Sequence, residues 1–192
     1  MAIKDDIVSF LKTDAAIQRI NFKMDGFLVY PQAYAVDIAG LVARDLIRVK
    51  TTTSLDDDVY ASYFVDYNQF WIRPGFSTTS DDDCSALVHE ATHAHMDYKA
   101  LGMKPIEWSE AIAYLAEAFY REARRLKPLT DHFIRAKAHS LAKRMLASGQ
   151  YEVPADVARS MIMAAKAEPH YVKKARGSST SFAQPFVNFD GF

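Results

Sequence analysis

Residues 80–102 spell out a helix with both of its ends marked. Ser80 offers a capping side chain, and Asp81, Asp82 and Asp83 place carboxylates in the first turn, where the positive end of the helix dipole favours them. Gly102 supplies the stop, so the helix is expected over about 82–98. The acidic run has an ordinary structural job there and is not read as a calcium site. Three further helices follow, each bounded by Pro or Gly. One starts near Pro105 and runs through 107–126, ending before Pro128. One covers about 130–148 with Gly149 as its stop, and one follows Pro154 and ends before Pro169.

The chain before residue 80 reads differently. Residues 59–76 are rich in Tyr, Phe, Val, Trp and Ile, with Asn68-Gln69 as a turn between strands over 60–67 and 70–73. Residues 47–53 are β-branched and expected to be extended. An amphipathic helix is expected over 3–20, and a more buried one over 31–47, where Pro31 suits a first turn. The fold class is therefore α+β, mainly helical, with a small β-sheet on the N-terminal side of the helix at 82–98.

With 192 residues, 49% of them hydrophobic, the chain can bury one good core. The expectation is a single domain over 1–192 with its core at about 27–168. The end, 173–192, is Ser-rich and then carries Phe182, Phe186, Phe189 and Phe192. It either packs back, docks on a partner or moves freely. Net charge is −1, which gives no general case for nucleic acid. Its distribution is uneven: 8 Lys/Arg against 14 Asp/Glu in residues 1–96, and 15 against 10 in 97–192. Solvated helix faces account for the basic half as well as an anionic partner does. Cys84 is the only cysteine, so neither an intrachain disulfide nor a cysteine zinc site is available. Asp5 and Asp6 interrupt what a signal peptide needs as an apolar run, and no stretch reaches the roughly 18 apolar residues of a membrane span. A cytoplasmic location is expected, with export by a route that leaves no N-terminal signature as the alternative.

Inside the capped helix lies His89-Glu90-Ala91-Thr92-His93. Positions i and i+4 share one helix face, so both imidazoles reach one cation. Glu90 sits one step round the helix, beside that cation rather than on it. There it can act as general base on a zinc-bound water without using up the open coordination position. The five letters alone arise by chance in on the order of one chain in a hundred or two. The helix strengthens them: His89 and His93 share a face with Ala86, while Cys84, Leu87, Val88 and Ala91 form an apolar back. His95 is no third ligand, because it lies about 200° round from His93. Asp97 lies about 12 Å along the axis from His89.

A catalytic zinc ion commonly takes three protein ligands. Glu107, Glu110 and Glu117 line one stripe of the next helix. Glu110 is preferred, because the turn through Gly102 can fold its end of the helix back, and Ala111 and Ala113 permit close approach. Glu117 has a competing partner in Arg121 at i+4.

These residues, His89-Glu90-Ala91-Thr92-His93 with Glu110-Ala111-Ile112-Ala113 on the following helix, resemble the zincin metallopeptidases of the gluzincin type, over residues 70–126 or so. The resemblance implies a zincin-like fold: a backing helix, a small sheet, the active-site helix and then the glutamate helix. It places 70–73 as an edge strand above a cleft, receiving extended substrate backbone. It implies one Zn2+ held by His89, His93 and Glu110, with Glu90 as the base that hydrolyses a peptide or protein substrate. It also calls for a Tyr or His that stabilises the oxyanion. Tyr114, one turn after Glu110, is the best placed of Tyr114, His139, His170 and Tyr171, against the competing reading of a core tyrosine. The glycine-containing metzincin signature is absent. Two other readings stand beside the peptidase: a zincin-like metal-binding protein without catalysis, and a helical interaction module in which the histidines are incidental.

Overall fold

The computed structural model of the chain describes residues 3–129, 132–168 and 186–191. Helix α1 (Ile3–Thr13) buries Ile7, Phe10 and Leu11. It stops short of the expected residue 20 because the Asp14 side chain accepts the Ala16 N–H at 2.8 Å, offering the backbone a turn in place of a helical bond. A single 3-10 turn, Ile17–Arg19, follows. Strands β1 (Phe22–Met24) and β2 (Phe27–Val29) then form an antiparallel hairpin. Its turn residues Asp25 and Gly26 both have positive φ, the conformation a two-residue hairpin loop requires. Residues 31–47 form a π-helical turn, Ala33–Ile38, running into α2 (Ala39–Ala43).

The core begins at Ile7, not at residue 27. Ile7, Leu11, Ile17, Ile20, Phe22 and Met24 are all fully buried. The reason is that α1 and the hairpin lie against the helix that carries Phe119 and Tyr120. Phe22 stacks on Phe119 at 5.1 Å, and Phe10 meets Tyr120 edge-on at 5.9 Å.

Three strands make the main sheet: β3 (Arg48–Thr51), β4 (Ala61–Phe64) and β5 (Gln69–Ile72), in the order β3-β5-β4. The inward face, with Ala61, Tyr63, Phe70 and Ile72 buried, packs on helix α3 (Asp81–Tyr98). This corrects the expected edge strand. β3 pairs in parallel with β5 from the far side, so 70–73 sits in the middle of the sheet and β4 forms the edge beside α3.

A short strand, β6 (Gly102–Pro105), leads from α3 into α4 (Ile106–Ala123). Helix α5 (Phe133–Ser148) ends at Gly149, whose φ of 70° is the left-handed C-cap that glycine adopts without strain. Helix α6 (Ala155–Lys166) returns along it, with Lys137 bonded to Ser160 and Glu168 accepting the Ile134 N–H. In the Phe-rich end, β7 (Phe186–Phe189) pairs antiparallel with β6 and buries Phe189. Phe182 and Phe192 lie outside the described residues. The described chain is thus α+β, with helices predominating. No helix in it is long and apolar enough to cross a membrane.

Candidate metal centre

Helix α3 is fixed by its start. Ser80 Oγ accepts the Asp83 N–H at 3.3 Å, and Asp83 reaches back to accept the Ser77 N–H at 3.0 Å. The other oxygen of Asp83 pairs with Arg73 at 2.9 Å, tying the helix to the end of β5. Asp82 pairs with Arg121 and Asp81 with Arg124, both at 2.9 Å. The acidic run therefore caps and anchors, as its position in the sequence implied.

The same pairs set α4 antiparallel to α3. Arg121 meets Asp82 and Ser85, Glu117 meets His89, and Glu110 meets His89 and His93. Ala111 and Ala113 are fully buried beside Glu110. Helix α3 is more enclosed than a helix with one exposed front: Ser85, Thr92, His95 and Asp97 are buried along with its apolar residues.

His89, His93 and Glu110 converge to form a group that could hold a metal ion. The two Nε2 atoms are 3.3 Å apart, His89 Nε2 lies 3.3 Å from Glu110 Oε2, and His93 Nε2 lies 3.5 Å from Glu110 Oε1. Ligand atoms about 2.1 Å from one centre at tetrahedral angles sit about 3.4 Å from each other. The separations from His89 Nε2 to His93 Nε2 and to Glu110 Oε2 are close to that edge, while His93 faces the other carboxylate oxygen, and Glu110 Oε2 is buried with no hydrogen-bond donor among the described residues. Burial alone would lower the pKa of His89, but Glu110 and Glu117 outweigh it and push it up to about 10. For Glu110, burial opposes the charged form and the two histidines overcome it, holding the carboxyl well below its usual range. Positive charge is wanted here, and a proton on His89 is what a divalent cation would displace.

Glu90 stays out of this set. Its Oε2 accepts the backbone N–H of Tyr63, on edge strand β4, at 2.6 Å, and burial raises its pKa. Glu117 touches the other nitrogen of His89, with Oε2 3.5 Å from Nδ1, while Arg135 of α5 stands 4.0 Å from the same oxygen. The expected pairing of Glu117 with Arg121 is replaced, because Arg121 turns to Asp82, Ser85 and the Lys127 carbonyl. Glu107 points away and pairs with Lys166 at 3.5 Å.

Tyr114 reaches the site, its ring packed edge-on against the His89 imidazole at 4.7 Å and the Arg135 guanidinium 5.5 Å from its centroid. His139 pairs with Glu122 at 3.4 Å, and His170 and Tyr171 lie outside the described residues. His95 is the core histidine its helical angle implies: buried against Phe27 and Tyr30, with its pKa pulled down to about 3 by burial and Lys99. Asp97 is buried and bonded to Tyr63 and Gly191. Three neighbours of the triad escape sequence reasoning: Tyr63, Arg135, and Glu117 in this role. No spacing pattern links them, since each arrives from a separate element. No protein-family model, curated protein or solved structure matches the chain.

Proposed function

We propose that the chain is a zinc-dependent hydrolase, and specifically a metallopeptidase of gluzincin-like type and zincin-like fold. The observation that carries this reading is the separation of roles. Three donor atoms, one each from His89, His93 and Glu110, lie within 4.8 Å of one another, and a carboxylate, Glu90, lies next to them without joining them. Two imidazoles and one carboxylate suit zinc and leave a fourth position open. A zinc ion held there supplies Lewis acidity, polarising a carbonyl oxygen and bringing the pKa of a water molecule near neutrality. His89, His93 and Glu110 would hold the ion, and Glu117 orients His89 through its Nδ1. Glu90 takes the proton of the attacking water at Oε1, the oxygen left over from its bond to Tyr63, and returns it to the leaving amine. The choice of a peptide bond rests on the resemblance of the two helices to those peptidases.

A second reading, metal binding without turnover, is favoured by one observation. The side chains of His89, His93 and Glu110 are only 10%, 12% and 13% exposed, which leaves little room for a substrate to reach an ion between them. One experiment separates the two. Wild type and Glu90→Gln are assayed for zinc content and for hydrolysis of fluorescein-labelled casein. The peptidase predicts full zinc in both, and turnover about 100-fold lower or less in the variant. Equal turnover in the two proteins rules out Glu90 as the base. Zinc in both with hydrolysis in neither supports the second reading.

A further inference from the structure

Glu90 and Asp97 are seven residues apart on α3, two turns along one face, and both grip the same residue of β4. Glu90 takes the Tyr63 backbone N–H at 2.6 Å, and Asp97 Oδ2 takes the Tyr63 hydroxyl at 2.7 Å. The phenol has one proton. The shorter contact to a charged acceptor claims it, so the 3.0 Å contact with Asn68 is met by the amide NH2 with that side chain turned over. Asp97 is fully buried, and its second oxygen is satisfied from a distant part of the chain, by the Gly191 N–H at 3.2 Å.

Gly191 is held where it is. Strand β7 pairs with β6 over four residues, Phe189 is buried, and residue 191 follows with φ +87°. A Cβ there would lie 3.3 Å from the Ala100 Cβ. We infer that the C-terminal strand positions the base: through Asp97 and Tyr63 it fixes the edge strand whose backbone N–H orients Glu90. This rests on the reading of Glu90 as the base. The physical reason is that a buried carboxylate stripped of a donor is costly. If Gly191 lets go, Asp97 recruits water or draws the Tyr63 hydroxyl after it, and the N–H on the same residue shifts against Glu90. A small displacement of a catalytic group is enough to slow the reaction. Tyr63, Asp97 and Gly191 are thus positioning residues, and release of residues 186–191 would turn the site down without emptying it.

The test uses the full chain with Tyr63→Phe, which removes one hydroxyl, and Gly191→Ala, which strains the clasp. Amide hydrogen exchange at residue 63, zinc content, and kcat and KM on fluorescein-labelled casein are measured. In both variants exchange at residue 63 should speed up, and kcat should fall by about tenfold, with KM within about twofold and one zinc per chain retained. Exchange at residue 63 unchanged in both variants overturns the inference, even if turnover is normal in wild type. Faster exchange in a protein whose wild type hydrolyses nothing upholds the clasp and removes the peptidase reading instead.

Discussion

Each nitrogen of the His89 ring faces a different carboxylate, Nε2 toward Glu110 and Nδ1 toward Glu117. A proton kept on Nδ1 by Glu117 leaves the Nε2 lone pair free for a cation and fixes the ring plane, with Tyr114 packed on that ring and Arg135 behind the carboxylate. Glu117→Gln should therefore weaken zinc binding by about 10- to 100-fold while leaving the ligand set intact, as read by competition with a chromogenic chelator. Unchanged affinity would make Glu117 a spectator. His95 supplies the contrast. It belongs to the same helix, yet both of its ring nitrogens are buried without a hydrogen-bond partner among the described residues. Replacing an unsatisfied buried polar group by an apolar one of similar size is neutral or stabilising. His95→Leu should keep one zinc per chain and a thermal midpoint equal to or above wild type; loss of zinc would contradict its assignment to the core.

Helix α3 shows which features are legible in sequence. Its start is local: Ser80 and the three aspartates lie within one turn, and the structure uses them as caps and anchors. Ser80→Ala should cost about 1 kcal/mol in a denaturant titration, and no measurable loss would mean that the aspartate pairs alone hold the helix end. The starts of α4 and α6 and the end of α5 are legible for the same reason, since Pro and Gly act on their immediate neighbours. Helix α4, by contrast, stops at Ala123, short of the expected 126, where Arg125 takes a positive φ of 58°. The hairpin β1-β2 has a local signal too, in Asp25-Gly26 between apolar residues, although helical periodicity says nothing there. The place of β5 in its sheet is another matter. Its parallel neighbour β3 lies about twenty residues earlier, and nothing in either strand names the other. That pairing moves the free edge to β4 and brings Tyr63 onto Glu90.

Taken together, the elements make the triad a cross-link between two helices. His89 and His93 come from α3 and Glu110 from α4, while β7 closes over the β6 connection between them. The five-letter pattern gives the two histidines and places Glu90 beside them. Glu110 follows from folding α4 back on α3, but Tyr63, Glu117 and Arg135 are set by packing across the whole chain. A cation bound to such a site stabilises the fold by mass action, by about 4 kcal/mol when free metal exceeds its dissociation constant a thousandfold. Treatment with a chelator should accordingly lower the thermal midpoint of wild type but not that of His93→Ala; an identical shift in both would place the metal elsewhere. The most direct measurement is the metal content of the freshly purified chain by mass spectrometry, for wild type, Glu90→Gln, His93→Ala and Glu110→Ala. One zinc per chain in the first two, with loss from the last two, is the predicted result. Absence of metal from wild type, or its retention when His93 and Glu110 are removed, would contradict a zinc site at His89, His93 and Glu110.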